Sequence, residues 1–352
     1  TPCKGKSMGE RLAFTFALTG RREWGHGTQG VALGYGLVGL SARAGPQTSA
    51  KCPHNLHLLN FSNFPSTQRP TLFLPILSPL LKTEFFMKRY INCLSIAGSD
   101  PYGGAGIQAD LKTFSALGCY GSAAITALTV QNSTGVKRSV AVDAQTVYEQ
   151  AAAVFDDITV DALKIGMTVN NDIIRAITRL IKAYHPATIV LDPVMVSSSG
   201  HRLLDEEAIR ELKEELMTLC TLVTPNIPEL AVLSNGAEGI AAARKVIEET
   251  KCTFVLVKGG HLEGQPTDCL VSANRTWDFP GRRVDTRNTH GTGCTLSSAI
   301  AAYAAQGVSM PEAVGKAKAY VEHALAAGAE INAGKGHGSM NHFFEGHELM
   351  TR

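Results

Sequence analysis

Cys294 stands between a glycine-punctuated loop and a helical run in the segment NTHGTGCTLSSAIAAYAA, which begins at Asn288. Gly291 and Gly293 allow the backbone to approach a ligand closely, and Thr292 lies between them. The free N–H groups at the start of a helix, together with its dipole, bind anions. The segment therefore predicts an anion hole for a phosphoryl group in transfer, with a glycine turn beside a buried thiol as the alternative.

The position of the thiol suggests what it does. A cysteine at a helix N-terminus is expected to have a pKa below the free value of about 8.5, so Cys294 is predicted to act as a nucleophile or a base. A cysteine hydrolase needs a histidine and an Asn or Asp that orient the thiol, and His290 is too close in sequence for that role. A base that takes a proton from an alcohol fits the segment better.

Other polar residues follow apolar runs, at the ends of predicted strands. Gln131 follows ALTV, Asp192 follows TIVL and Lys258 follows FVLV, while Asn226 and Glu229 lie just beyond LVTP. Ligands of open α/β sheets bind beyond the carboxyl ends of the strands, so these side chains predict a site there. A carboxylate in such a place can also be a helix cap. The glycine-rich segment GGAG, residues 103–106, matches neither a P-loop nor GxGxxG and can be an ordinary turn.

The elements that carry these residues repeat along the chain. Apolar runs such as INCLSIAG, SAAITALTV, ATIVLD and TFVLVKGG alternate with helical patterns. Continuous apolar strands between amphipathic helices predict a mostly parallel sheet with both faces covered. The predicted helices cover residues 107–117, 142–155, 172–184, 206–217, 237–249, 294–305 and 310–327.

Composition narrows the class of protein. The chain has 352 residues, 44% of them hydrophobic, and a net charge of +2, which is too small to predict binding to nucleic acid or to an anionic membrane. It contains no apolar run of the ~18 residues that a membrane span needs. Its eight cysteines form no C-x-x-C pair. We therefore expect reduced thiols and a cytoplasmic protein.

The chain changes character at Met87. Residues 1–86 contain no Asp, are rich in Gly, Pro, Ser and Thr, and show no sustained helical or alternating pattern. We interpret them as upstream sequence, a tag or a poorly ordered N-terminal extension, with a targeting peptide as the alternative. Residues 87–352 are predicted to form one α/β domain.

The ordered motifs of residues 87–345 resemble a known family. AGSDPYGGAGIQADLKTFSALGCYG, TALTVQN, KIGM, LDPVM, TPNIPE, KGGH and NTHGTGCTLSSA together are similar to the hydroxymethylpyrimidine/phosphomethylpyrimidine kinases of thiamine biosynthesis, in the ribokinase superfamily. The resemblance implies a three-layer α/β/α fold, ATP and Mg²⁺, and usually a homodimer. It also implies two successive phosphorylations, of the hydroxymethyl group and then of the resulting phosphate ester.

The resemblance also implies roles for the residues in these motifs. Cys294 would be the base, a position that is Asp in many ribokinase-like sugar kinases, and the anion hole would comprise Gly291, Thr292 and Gly293. Gln131 would read the pyrimidine, because a carboxamide both donates and accepts hydrogen bonds. The rest of the pyrimidine pocket would comprise Gly98, Asp110, Met167 and Val194.

The nucleotide and metal would lie at the other strand ends. Asp192 and Glu229 are similar to the family's magnesium ligands, since oxygen ligands suit this ion. Asn226 and Lys258, with the same two carboxylates, would contact the nucleotide phosphates.

Several alternatives stay open from sequence. Asp110 can instead be a solvated helix position, and Met167 can be ordinary core. A pyridoxal kinase of the same fold is the closest competing function, because pyridoxal is also a flat heteroaromatic with a hydroxymethyl group. A non-catalytic protein that senses the pyrimidine is a third reading.

Overall fold

The computed structural model describes residues 88–195, 204, 206–259 and 266–346. The predicted extension, residues 1–86, and the boundary at Met87 lie outside this part of the chain. Among the described residues, no helix combines the length and apolar character needed to cross a membrane.

The described residues form one nine-stranded sheet in the order β3-β2-β1-β4-β5-β6-β7-β8-β9. The strands are β1 (Asn92–Ser99), β2 (Tyr120–Asn132), β3 (Gly135–Ala141), β4 (Ala162–Ile165), β5 (Ile189–Leu191), β6 (Leu222–Val223), β7 (Phe254–Val257), β8 (Thr267–Val271) and β9 (Thr276–Pro280).

The centre of the sheet is parallel and its edges are antiparallel. Strands β2, β1, β4, β5, β6 and β7 pair in parallel. The hairpin β2–β3 and the meander β7–β8–β9 close the two edges with antiparallel pairs. The prediction of a mostly parallel sheet is confirmed, and the carboxyl ends of the central strands meet at one edge.

Eight α-helices pack on the sheet: α1 (Gly106–Ala116), α2 (Ala144–Asp157), α3 (Asn171–Tyr184), α4 (Glu206–Glu211), α5 (Ile227–Leu233), α6 (Gly239–Thr250), α7 (Thr292–Ala305) and α8 (Met310–Gly328), all within the described residues. The predicted helix 206–217 is shorter than expected, because a π turn (Leu212–Leu216) and a 3₁₀ turn (Met217–Leu219) follow Glu211.

Side-chain alternation divides the core into two layers. Leu163 and Ile165 of β4 pack with helices α2 to α6 on one face. Ala162 of the same strand packs with α1, α7 and α8 on the other. Since successive side chains of a strand point to opposite faces, Lys164 lies on the α1/α7 side. The three-layer α/β/α architecture is therefore as predicted.

Candidate active site

Two glycine loops meet where β1 and α7 converge. Gly291, the N-cap of α7, has a φ of +83°. A Cβ atom at Gly291 would lie 1.7 Å from the carbonyl oxygen of Gly104, in the GGAG loop. The positive φ and the close approach both exclude a side chain at position 291, so glycine here allows the HGTG loop to pack against the GGAG loop.

The start of α7 faces the strand ends. The N–H of Thr295 donates to the Gly291 carbonyl at 2.8 Å, so the N–H groups of Gly293 and Cys294 belong to the first turn, where helical acceptors are lacking. A Cβ at Gly293 would lie 3.3 Å from Asp192 Oδ2 and 3.5 Å from Lys258 Nζ. The predicted anion hole thus lies beside a carboxylate and a lysine.

Asp192 and Lys258 form an ion pair after β5 and β7. Lys258 Nζ lies 2.8 Å from Asp192 Oδ1, which also accepts from Thr224 Oγ1 at 3.1 Å. Burial lowers the pKa of Lys258, but the charges of Asp192, Glu229 and Cys294 outweigh it, so this pKa lies above its usual value. Lys258 is therefore a fixed positive charge next to the start of α7.

Asn226 and Glu229 cap α5 together. The Asn226 side chain accepts from the Glu229 N–H at 2.9 Å, and the Glu229 carboxylate accepts from the Asn226 N–H at 2.8 Å. The helix cap that the sequence left open as an alternative for a carboxylate is thus present at Glu229, with Asn226 as the N-cap residue. Glu229 is 6% exposed, and burial raises its pKa to about 7, opposed by Lys258 and reinforced by Asp192. In this capping position the Glu229 carboxyl still interacts electrostatically with Asp192 and Lys258.

Asp110 lies in a fully buried polar network between the sheet, α1 and α7. Lys164 Nζ lies 2.8 and 2.7 Å from its two oxygens, and Ser95 and Ser298 each donate to it at 2.6 Å. The solvated alternative for Asp110 is wrong, because the residue has no exposed surface. Four hydrogen bonds from these three side chains fill the lone pairs of Asp110, so a direct bond to the pyrimidine would require one of them to break.

Cys294 differs from its predicted state. Burial is the largest effect and raises the pKa of the thiol to about 11. Lys164 and the N–H of Gly106 lower this pKa, while Asp110 and Asp192 raise it. The prediction of a lowered pKa was wrong because it weighed only the helix dipole. Each lysine near the sulfur is already balanced by an aspartate, so a thiolate would be an additional buried charge.

The residues predicted to bind the pyrimidine lie mostly on the β1–β2 side. Met167 is half-buried, rather than ordinary core, and its Cε would lie 3.0 Å from a Cβ at Gly98. Val194, also half-buried, follows Asp192, and its N–H bonds the Asp192 carbonyl at 2.8 Å. The half-buried Gln131 has its amide nitrogen 3.1 Å from His290 Nε2.

Three polar residues beside these positions were not assigned from sequence. Lys164 lies within the short strand ALKI, whose other three residues are apolar. Nothing in this pattern indicates that the lysine is buried in an ion pair. His290 and Asp100 form a second pair, with His290 Nε2 2.9 Å from Asp100 Oδ2. The position of His290 in the HGTGC motif could have indicated that it belongs to the site. Its partner Asp100 could not be inferred, because it lies 190 residues earlier in the chain.

The carboxylates fit magnesium only in part. In residues 88–195, 206–259 and 266–346, no three His, Cys, Asp or Glu side chains are grouped to hold a metal. Mg²⁺ in phosphate-binding sites commonly takes one or two carboxylates, with waters and phosphate oxygens completing the shell. Both bonds found for Asp192 go to Oδ1, so Oδ2 is available for such an ion. The donor set is compatible with a metal shared with a phosphate.

Comparison with known proteins agrees with this geometry. The family model for phosphomethylpyrimidine kinase matches residues 100–341. A hydroxymethylpyrimidine/phosphomethylpyrimidine kinase of Rhizobium meliloti is 48% identical over 256 residues, 71% of this chain and 96% of that protein. The crystal structure of a phosphomethylpyrimidine kinase from Clostridium difficile superposes with a TM-score of 0.58 and 43% identity, covering 65% of this chain and 97% of that one.

A second solved structure is a pyridoxal kinase. The ADP complex of the Bacillus subtilis enzyme superposes with a TM-score of 0.63 and 36% identity, covering 68% of this chain and 93% of that one. These matches confirm the predicted kinase and its ribokinase-like fold. The chain belongs to the phosphomethylpyrimidine kinase family.

Proposed function

We propose that this kinase uses ATP to phosphorylate 4-amino-5-hydroxymethyl-2-methylpyrimidine and then its monophosphate, in thiamine biosynthesis. The observation that carries the proposal is the meeting of Cys294, the first turn of α7 and Lys258 at one sheet edge. The first-turn N–H groups and Lys258 stabilise the phosphoryl charge, and Cys294 stands at the same point as a base.

The chemistry of the first step follows from these positions. The thiolate form of Cys294 takes the proton of the hydroxymethyl group as the hydroxymethyl oxygen forms a bond to the γ-phosphorus of ATP. The bond between that phosphorus and the oxygen on the β-phosphate breaks and releases ADP. The anion hole of Gly291, Thr292 and Gly293 holds the phosphoryl oxygens. Glycine at 293 leaves free the space that a methyl group would take beside Asp192 and Lys258.

The nucleotide is assigned to the strand ends after β5, β6 and β7. Lys258 and Asn226 contact its phosphates, and Asp192, with Glu229 beside it, would hold Mg²⁺. When bound, this ion neutralises phosphate charge. The ADP complex of the similar pyridoxal kinase supports the use of an adenine nucleotide. Changing Glu229 to Gln keeps an oxygen for the Asn226 cap but removes the charge, so a raised Mg²⁺ requirement with unchanged stability would support the metal role.

Gln131, with Gly98, Met167 and Val194, is assigned to the pyrimidine. The test is the kcat/KM for hydroxymethylpyrimidine beside that for pyridoxal, followed as ADP release. Pyridoxal kinase is the second candidate, supported by the Bacillus subtilis match. A preference for pyridoxal would contradict the first proposal and favour the second.

Changing Gln131 to Leu should lower the kcat/KM for hydroxymethylpyrimidine by roughly 100-fold, because two polar groups on the edge of the pyrimidine ring lose their hydrogen-bond partners. The Kd for ATP should stay unchanged.

We also propose a homodimer. Leu128, Val130 and Val140 are exposed on one face of the β2–β3 hairpin, with Leu128 directly opposite Val140. A second copy is the occupant that would cover this apolar face. Sedimentation of the protein and of Leu128→Lys should give a dimer and a monomer, respectively; a wild-type monomer at micromolar concentration would contradict the assignment.

The cytoplasm is the proposed location. The six cysteines among the described residues are free, and the proposed base must remain a thiol. The small net charge supports the expectation that neither nucleic acid nor a membrane is a partner. Fractionation of the cells that produce the protein tests the location.

A further inference from the structure

A chain of polar contacts leads from the GGAG loop to Gln131. Asp100 follows β1 and is 2% exposed. Its Oδ2 accepts from the N–H groups of Gly104 at 3.0 Å and Ala105 at 2.8 Å, and its Oδ1 accepts from Tyr102 N–H at 2.9 Å. Burial raises the pKa of Asp100, but the bonds from His290 and the backbone outweigh it, so this pKa lies below its usual range. Asp100 is therefore an anion at neutral pH.

An ionised Asp100 decides where His290 carries its proton. Nε2 of His290 lies 2.9 Å from Asp100 Oδ2. A carboxylate that faces a ring nitrogen at this distance needs a hydrogen between them, so Nε2 is the protonated nitrogen. The Gly104 backbone also lies close to the ring, because a Cβ at Gly104 would lie 2.5 Å from His290 Cδ2.

The protonated Nε2 restricts the amide of Gln131. With the amide nitrogen 3.1 Å from Nε2, two donors face each other. The amide oxygen meanwhile lies 3.3 Å from Thr129 Oγ1, whose one hydrogen is given to the Ser99 carbonyl at 2.8 Å. Half a turn about the last side-chain bond satisfies both contacts. The oxygen then shares the single Nε2–H of His290 with Asp100 Oδ2 in a three-centre hydrogen bond, and the nitrogen donates to Thr129.

We infer that Asp100 and His290 are positioning residues that fix the orientation of the Gln131 amide, and thereby its preference for a 4-aminopyrimidine. This inference rests on the proposed function. The fixed oxygen remains able to accept from the amino group, and the nitrogen remains able to donate to the adjacent ring nitrogen. A ring with the opposite pattern, an N–H beside a carbonyl, would require the amide to turn against His290.

The test compares two substrates in three proteins. The substrates are hydroxymethylpyrimidine and its 4-oxo analogue, in which a carbonyl replaces the amino group and the ring nitrogen carries hydrogen. Wild type should prefer the amino form by roughly 100-fold in kcat/KM, because the oxo form leaves two polar groups unmatched. His290→Leu removes the donor that orients the amide, so the preference should fall at least tenfold. His290→Gln keeps an N–H donor and should retain it.

Each outcome decides between explanations. A lower rate on both substrates with an unchanged ratio in His290→Leu would mean a merely structural role and would overturn the inference. Failure of wild type to phosphorylate hydroxymethylpyrimidine would instead overturn the proposed function. If the His290→Leu variant does not fold, ¹⁵N NMR of the histidine rings in the wild-type protein can test the inference, because it shows which ring nitrogen of His290 is protonated. The signal that disappears in His290→Gln must be that of a ring protonated at Nε2, and an unprotonated Nε2 would refute the inference.

Discussion

At the scale of single residues, the site is governed by charge balance around one sulfur. Lys164 is paired with Asp110 and Lys258 with Asp192, so neither lysine carries surplus charge toward Cys294. The pKa of this thiol is therefore raised to about 11. A thiol with this pKa is mostly protonated at neutral pH, so only its small thiolate fraction can take the proton of an alcohol. That thiolate is a stronger base because its pKa is high.

The first prediction separates the two phosphorylations. An alcohol must lose its proton to become a nucleophile, whereas a phosphate monoester, with a second pKa of about 6, is already anionic at neutral pH. Cys294→Ala should lower turnover of hydroxymethylpyrimidine by ~10²–10⁴ and turnover of its monophosphate much less. Single-turnover rates on each substrate measure the difference. Near-wild-type turnover on the alcohol would remove Cys294 from the role of base.

The second prediction concerns pH. The thiolate population below the pKa of about 11 increases with pH, so kcat/KM for the alcohol should rise about tenfold per pH unit between roughly pH 7.5 and 9. In Cys294→Asp the carboxylate ionises well below neutrality, so the same range should be flat, at reduced activity. A plateau already near pH 8 in wild type would show that the working thiol has a much lower pKa.

At the scale of elements, the start of α7 combines two glycines with different duties. Gly291 takes a left-handed φ of +83° and touches the GGAG loop, whereas Gly293 lies inside the helix and faces Asp192 and Lys258. We therefore propose that Gly291 serves the fold and that Gly293 serves the ligand.

The third prediction uses this contrast as a matched pair. Gly291→Ala should lower the free energy of unfolding by about 2 kcal/mol or more, through backbone strain and the clash with the Gly104 carbonyl. Gly293→Ala should keep or slightly raise stability, since Ala favours a helix by ~1 kcal/mol over Gly. Its methyl group, 3.3 Å from Asp192 Oδ2, should nevertheless reduce kcat/KM by at least tenfold.

Denaturant unfolding and steady-state kinetics on the same two proteins check the pair. If Gly293→Ala were fully active, the space beside Asp192 would not be phosphoryl space. If Gly291→Ala were as stable as wild type, the two loops would not be held by that contact.

The elements also show what the sequence could reveal. The apolar runs and helical periods predicted the central strands and α7, because periodicity reports burial. Between Glu206 and Leu219 a short α-helix is followed by a π turn and a 3₁₀ turn. The spacing of apolar residues in this segment resembles that of a single helix, so the sequence did not predict the change of helix type. The motifs predicted candidate site residues, but they did not reveal the pairing of Asp110 with Lys164 or of Asp100 with His290, because the paired side chains are 54 and 190 positions apart in the sequence.

At the scale of the whole molecule, a buried histidine links the C-terminal segment to α7. His342 Nε2 lies 3.0 Å from Thr295 Oγ1, and its carbonyl accepts from Tyr320. Burial lowers the pKa of His342 to about 4, with a further contribution from the charge of Lys112. The folded protein therefore holds this ring neutral.

The fourth prediction follows from that pKa. Between pH 6.5, near the unfolded value, and pH 4, the unfolded chain binds the proton and the folded protein does not. The stabilisation is complete above this window and falls as pH decreases through it, by roughly 3 kcal/mol at most. The raised pKa of Glu229 acts in the opposite direction, so the difference between wild type and His342→Gln isolates the effect. An unfolding free energy with the same pH dependence in both proteins would refute it.

The last prediction concerns the extent of the domain. Near its start, Arg89 pairs with Asp161 at 2.7 Å and Tyr90 stacks on Tyr120, and β1 then runs between β2 and β4. Every contact described for the site lies downstream of these residues. A protein shortened to begin at Met87 should therefore equal the full chain in kcat/KM and in Tm. A second one beginning at Ser95 loses the first three residues of the central strand β1, together with Arg89 and Tyr90, and should not fold. Loss of activity or solubility in the Met87 protein alone would place part of the domain within residues 1–86.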